Sequence, residues 1–285
     1  PPRSTLFPYT TLFRSGIPRG GAGRVGDDDD VAPFADVLSR LSAQEAPVVL
    51  VLDHLHLLAE PGARLDELFG HAPPAGLQII AASRTHIADL GRVSRTASCR
   101  FITGDALLWD AEDIAAAAGK SGIDIPARSA EIIRQLTGGL PALVRGVVAA
   151  VPKAQLVAPE HLAEYVPGAI DAAMDFEIRW APDLAPFRRE LLLSAAADPL
   201  TDAALALVAR ERAAEFTALL EEAGIPQVTG GPSDRRWVYP DPVRASLLRL
   251  ALTDHPEDLQ ELRHALIELW LDLDRPNKAL KVAAD

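Results

Sequence analysis

The stretch of sequence that decides the fold is residues 48–58, which read VVLVLDHLHLL. An unbroken apolar run rich in valine predicts a strand that is buried on both faces, as in a parallel sheet. A second apolar run, LQIIAA, occupies residues 77–82, and residues 64–71 between the runs predict a short helix. This order predicts a βαβ unit, whose crossover is right-handed in nearly all proteins.

A charged residue stands at the carboxyl end of each predicted strand. Asp53 ends the first strand and Arg84 follows the second. Functional residues of parallel sheets lie at the carboxyl ends of the strands. The first run resembles the Walker B strand of P-loop NTPases, whose Asp holds Mg²⁺ directly or through water. The alternatives are an Asp that caps a strand and a surface Arg at a strand end.

Composition limits the classes of function. The chain has 285 residues, which favours about two domains of roughly 150 residues each. Hydrophobic residues make up 48% and charged residues 24%, as in ordinary globular proteins. The chain has 28 Lys and Arg and 40 Asp and Glu, so its net charge is -12. Nucleic-acid binding is therefore disfavoured, because phosphate binding needs clustered cations.

The sequence also predicts a location. Cys99 is the one cysteine, which excludes a disulfide framework and favours a reducing compartment. The sequence has no apolar run of about 18 residues and no secretory signal pattern. We expect no membrane partner and a cytoplasmic protein.

The first 30 residues differ from the rest. Residues 5–15, TLFPYTTLFRS, match the translation of a common short-read sequencing adapter, so we expect residues 1–15 to be non-native and the chain to be a gene fragment. The alternative is an authentic, β-prone N-terminal segment. Residues 16–30 are Gly-rich and then acidic, which predicts a linker.

Helical spacing dominates from Asp105 onward. Two short strands at 226–229 and 236–239, on a Gly-Gly-Pro-Ser turn after three helices, predict a winged helix. A break at Arg275 and Pro276 predicts the opening of a helical repeat array. The predicted helices are residues 34–44, 109–118, 127–137, 140–151, 160–173, 184–196, 201–209, 213–223, 243–252, 259–273 and 277–284.

Five features in order carry a family resemblance across residues 31–285. They are LDHLHLL, a helix, LQIIAASRT, a helical stretch with TGGLPAL and a winged helix with YPDPVRASLL. This order resembles the bacterial STAND-type ATPases and, more narrowly, the large LuxR-type transcriptional regulators of the maltose-activator kind. The resemblance implies an α/β remnant of a P-loop NTPase domain followed by a mostly α region. The implied parts after the linker are 31–104 (partial NTPase domain), 105–173 (helical lid), 174–253 (winged helix) and 254–285 (start of helical repeats).

The resemblance also implies site residues. Asp53 is the acid associated with Mg²⁺, and Arg84 is the sensor that reads the γ-phosphate. Gly139 and Pro141 match the GxP motif, whose proline lies near the adenine; the alternative is an ordinary helix start. Asp241 falls where such regulators place a His-containing motif that closes the winged helix over the nucleotide.

The sequence departs from the family in three places. In the family, a second acid positions the attacking water, and His54 stands at that place in this sequence. His54 is therefore the catalytic candidate, and the replacement of the acid predicts slow hydrolysis. Pro240 or Asp241 replaces the winged-helix His. The GxxxxGK[ST] loop that cradles phosphates is absent. We therefore expect weak ATPase activity in a complete protein and no tight binding of ATP or ADP with Mg²⁺ by this chain. His54 and His56 lack a third ligand for zinc.

The resulting hypothesis is a fragment of an ATP-dependent, signal-responsive regulator in which nucleotide acts as a conformational switch. Residues 175–253 carry nine Arg, no Lys and twelve acids, which favours an internal module over a DNA reader. In the family, DNA is bound by a C-terminal helix-turn-helix that this chain does not contain, and self-association follows ATP and inducer binding. The alternatives are a STAND-type signalling ATPase or scaffold with another effector, and a degenerate interaction module.

Overall fold

The computed structural model describes residues 48–53, 77–83, 102, 104–230 and 234–284. The chain divides into two compact units, one within residues 9–102 and one that includes residues 103–285. The described part is mostly helical, with two small sheets. Several predictions lie outside the described residues: the adapter-like segment and linker, the helices at 34–44 and 64–71, and His54, His56 and Arg84.

The first unit contains two parallel strands, as predicted. They are β1 (Val48–Leu52) and β2 (Leu77–Ala81), with Val48 opposite Leu77 and Leu52 opposite Ala81. The backbone N–H of Ala82 donates to the carbonyl of Leu52 at 2.8 Å, so pairing continues to the carboxyl ends of both strands.

The prediction that these strands are buried on both faces is wrong. Val49 is 48% exposed and Val51 is 43% exposed, and Ile80 on β2 is also exposed. In the described part of this unit the sheet has two strands, so each strand has one hydrogen-bonded neighbour. The apolar run predicted strand formation correctly, but a run of valines does not by itself indicate what covers it.

The second unit begins with five helices. Asp110 caps the first through the backbone N–H groups of Glu112 and Asp113, and the Asp113 side chain accepts from the Asp110 N–H in return, which is a capping box. The short α4 was not predicted. The helices are α1 (Ala111–Lys120), α2 (Ala127–Thr137), α3 (Pro141–Ala150), α4 (Lys153–Leu156) and α5 (Pro159–Trp180).

The long helix α5 passes its predicted end at residue 173. Met174 and Ile178 continue its buried stripe at a spacing of four residues, which keeps the helix packed to Trp180. Pro167 lies inside the helix without ending it. Helix α5 packs against α2 and α3, and also against the helix at Asp241–Asp254 from later in the chain.

The rest of the second unit has the predicted order of helices and paired strands. The predicted helix at 184–196 is divided into a 3₁₀ turn (Ala185–Phe187), which contains Pro186, and the helix α6. The elements are α6 (Arg188–Ser194), β3 (Leu200–Thr201), α7 (Asp202–Ala209), α8 (Ala213–Ala223), β4 (Gln227–Thr229), β5 (Arg236–Val238), α9 (Asp241–Asp254), α10 (Pro256–Asp272) and α11 (Pro276–Ala284).

Strand β3 was not predicted, and it completes a sheet of order β3-β5-β4 in which both pairings are antiparallel. The sheet packs its central residue, Trp237, into a core that also holds Phe216 of α8, and both side chains are almost fully buried. None of the helices in the described ranges is both long and apolar enough to cross a membrane.

Candidate functional site

The carboxyl edge of the two-stranded sheet carries Asp53. This residue follows β1 directly and its side chain is exposed, while Ala82 and Ser83 follow β2. Because the strands are parallel and paired to their last residues, both continuations leave the same edge of the sheet. The exposed carboxylate of Asp53 is a group that Mg²⁺ accepts as a ligand. Among the described residues, no group of three or more His, Cys, Asp or Glu could hold a metal ion.

The TGGLP segment forms the turn between α2 and α3. Gly138 and Gly139 have φ angles of 63° and 70°, a left-handed conformation that side chains with a Cβ disfavour. The N–H groups of both glycines reach the carbonyl of Arg134, so the pair closes α2. Pro141 is the first residue of α3, where its missing N–H costs nothing.

The turn contacts the chain just before α1. The backbone N–H of Trp109 donates to the carbonyl of Gly139 at 2.8 Å. A Cβ at Gly139 would lie 2.6 Å from the carbonyl oxygen of Trp109, so glycine is required here for close approach as well as for φ. The buried Thr137 hydroxyl donates to the carbonyl of Ile133 at 2.7 Å and accepts from the N–H of Gly139 at 3.3 Å. Hydrogen bonds therefore hold the turn to the segment before α1 and to the last turn of α2.

The same turn meets the start of α9. A Cβ at Gly138 would lie 3.3 Å from Cγ of Pro242, so the backbone of the turn and the proline ring are close neighbours. Asp241 precedes this proline, is exposed and is the first residue of α9. Gly139 and Asp241, two of the predicted site residues, are therefore each adjacent in sequence to this contact. No pattern in the sequence indicates that the two motifs touch.

A buried hydrogen bond holds the segment that enters α9. Ser194 Oγ donates to the carbonyl of Leu191 at 2.8 Å, and it lies 2.6 Å from the Tyr239 hydroxyl, which then donates to it. Both residues are buried, and this burial raises the pKa of Tyr239 well above its usual range. Sequence reasoning missed this pair, because serine and tyrosine carry no pattern that indicates a partner 45 residues away.

A separate cleft of about 310 Å³ lies where α6, α7 and α10 approach one another. Arg189 donates to Asp258 at 2.6 Å at this cleft, and this hydrogen bond lowers the pKa of Asp258. Leu193 and Leu262 supply apolar lining. No residue predicted as a site residue lines it.

The hairpin cations are paired with acids of the same unit. Arg235 Nη1 lies 2.7 Å from Glu221 Oε1, and the Arg236 guanidinium donates to both carboxylate oxygens of Asp234 at 2.7–3.1 Å. These pairings reduce the positive charge that the hairpin presents.

We expect this chain alone not to bind duplex DNA specifically. Two phosphate contacts, from Arg235 and Arg236, would give a salt slope of only about −1.8 in log K against log salt. Anisotropy titrations of labelled duplexes at low and moderate salt measure this. The double variant E221Q/D234N, which uncovers both arginines, is expected to add weak and non-selective binding only. Sequence-selective nanomolar binding by the unmodified chain would contradict this prediction.

Comparison with known proteins adds no family assignment: no protein-family model and no curated protein matches the chain.

Proposed function

We propose that the chain is part of an ATP-dependent, signal-responsive transcription regulator of the LuxR type, in which bound nucleotide acts as a conformational switch. The observation that carries the proposal is the contact between Gly138 and Pro242. Two motifs that are far apart in sequence, and that the resemblance assigns to one nucleotide site, lie side by side in the second unit. A chance likeness of short motifs gives no reason for this contact.

Each unit, taken by itself, carries residues whose chemistry suits nucleotide binding. Asp53 has the chemistry and the exposed position of a Mg²⁺ ligand at the carboxyl edge of the sheet. Pro141 and Asp241 flank the contact between the turn and α9, where a base would be held. The N–H groups of Gly138 and Gly139 already serve the carbonyl of Arg134, so this turn is not a phosphate cradle. The missing GxxxxGK[ST] loop would supply that cradle.

The switch follows from differential affinity. A ligand shifts a conformational equilibrium only as far as it binds one arrangement more tightly than the other. A nucleotide that contacts both the TGGLP turn and the start of α9 favours the arrangement in which they touch. We propose that the protein is cytoplasmic. In it, the presence of bound nucleotide changes the position of α9, and this change is passed to the helical repeats that begin near α10 and α11. A C-terminal helix-turn-helix beyond this chain binds DNA after self-association on ATP and inducer.

Nucleotide titration tests the proposal. With a fluorescent ATP analogue and Mg²⁺, we expect only weak binding by this chain, because the phosphate loop is missing. Joining a native upstream segment that contains GxxxxGK[ST] is expected to tighten binding by at least about tenfold, since backbone N–H groups and a lysine then hold the phosphates. In that longer chain, Asp53→Ala is expected to remove the dependence of binding on Mg²⁺.

The matched control is Asp105→Ala, which removes an exposed acid from the 3₁₀ turn at Gly104–Leu107 and is expected to leave binding unchanged. Low-micromolar binding by the present chain would contradict the assigned role of the missing loop. Failure of the longer chain to bind nucleotide would contradict the proposed function itself.

An interaction module is the second candidate, and one observation favours it. Phe176 is 60% exposed and Trp180 is 74% exposed, and their ring centroids are 6.1 Å apart on α5. Adjacent exposed aromatics are common where proteins bind partners. This candidate gains support if the longer chain does not bind nucleotide. A STAND-type ATPase or scaffold with another effector differs from the first proposal in the sequence that follows this chain, where a basic helix-turn-helix is expected.

A further inference from the structure

Helices α5 and α9 are joined through a carboxylate whose oxygens accept three hydrogen bonds. Asp171 of α5 accepts from the Ser246 hydroxyl at 2.6 Å and from Nε and Nη2 of Arg249 at 2.8 Å each. Ser246 is fully buried, and the Asp171 carboxylate is mostly covered. The two parallel bonds from a planar guanidinium fix the direction of approach as well as the distance.

A second carboxylate on α5, one helical turn further on, extends the connection to α6. Arg188 Nη2 donates to Asp175 at 2.6 Å and also to Asp254, the last residue of α9. Arg179, within α5, donates to the other oxygen of Asp175 at 2.7 Å. Partial burial would raise the pKa of Asp175, but the hydrogen bonds from Arg179 and Arg188 outweigh it and leave that pKa below its usual range.

Apolar packing also holds these helices. Helix α5 buries Leu162, Val166 and Ile170, and α9 buries Val243, Leu247 and Ala251. Apolar packing is not screened by salt, whereas ion pairs that keep some contact with water are. Raising the salt concentration therefore weakens the ionic part of the contact between α5 and α9, while the apolar packing of the helices is kept.

We propose that five charged residues form an ionic clasp that closes α9 onto α5 and that α9 separates from α5 when this clasp is weakened: Asp171, Asp175, Arg188, Arg249 and Asp254. When the clasp opens, α9 leaves α5 while α2, α3 and α5 remain packed through their apolar faces. Opening also separates Pro242 from the TGGLP turn. The inference rests on these ion pairs alone and stands whether or not the chain binds nucleotide.

Hydrogen exchange of the full chain under native conditions tests the clasp. In each of the variants Asp171→Asn and Arg249→Met, we expect the amides of residues 241–254 to exchange roughly tenfold faster than in the unmodified chain. The reason is that the charged hydrogen bonds between Arg249 and Asp171 are lost. Amides of α2 and α3 are expected to keep their rates. The matched control is Arg179→Met, which removes an ion pair to Asp175 that lies within α5 and does not cross to α9. It should leave the rates in α9 unchanged.

A salt titration of the unmodified chain gives the same test without a substitution. Exchange in 241–254 is expected to accelerate between about 0.1 and 1 M NaCl, as the screening length falls from about 10 Å to 3 Å. In the double variant Asp171→Asn/Arg249→Met, this acceleration by salt should be smaller than in the unmodified chain. Unchanged exchange in α9, or equal acceleration in α2, α3 and α9, would overturn the proposal, because the helices would then open together.

Discussion

Replacing Gly139 by alanine is expected to destabilise the second unit by about 3 kcal/mol, the sum of left-handed strain and a forced shift of the backbone. The φ angle of 70° is unfavourable for any residue with a Cβ. The new Cβ would also lie 2.6 Å from the carbonyl oxygen of Trp109, which belongs to the main chain and cannot rotate away. Urea unfolding followed by helical circular dichroism measures the change.

Two other glycines separate the causes. Gly122 has a φ of 72°, and a Cβ added there would have no other atom within 4 Å, so Gly122→Ala carries the strain alone and is expected to cost about 1 kcal/mol. Gly119 is exposed within α1 and is also unobstructed, so Gly119→Ala is expected to stabilise by roughly 0.5–1 kcal/mol. If Gly139→Ala cost no more than Gly122→Ala, the contact with Trp109 would not be a constraint.

The sequence predicted the elements that depend on local patterns. Strands β1 and β2, the α2 helix and the turn at Gly138 and Gly139 follow from apolar runs, helical spacing and glycine pairs, which act within a few residues. The length of α5 was predicted less well, because its last turns are held by packing of Met174 and Ile178 rather than by a local signal.

The candidate site was predicted only as separate motifs. The positions of Gly139, Pro141 and Asp241 could be picked out along the chain, but no periodicity places Pro242 against Gly138. The hydrogen bond between Ser194 and Tyr239 also joins residues that are far apart in sequence, and no sequence pattern indicates it. Such contacts result from the tertiary packing of several helices, which a single sequence does not encode in a readable pattern.

Tyr239 is expected to make the second unit lose stability above pH 10. The unfolded tyrosine ionises near pH 10, while burial raises the pKa of Tyr239 in the folded protein, although the hydrogen bond with Ser194 acts in the opposite direction. Below pH 10 both states keep the proton and stability does not depend on this group. Above pH 10 only the unfolded state releases it, so the free energy of unfolding falls by about 1.4 kcal/mol per pH unit.

Tyr239→Phe gives the decisive comparison. At pH 7 the variant is expected to be less stable by about 1 kcal/mol, because Ser194 Oγ loses a donor. It lacks the ionisable group, so its stability should fall more slowly above pH 10, and near pH 11 it should equal or exceed that of the unmodified chain. Urea unfolding at intervals between pH 7 and 11.5 measures both curves. The matched control is Tyr165→Phe, at an exposed position of α5, which should leave the slope unchanged. If the stability of Tyr239→Phe and that of the unmodified chain fell in parallel with pH, the Tyr239 hydroxyl would be in contact with water. That result would contradict the buried hydrogen bond between Ser194 and Tyr239 at the entrance to α9.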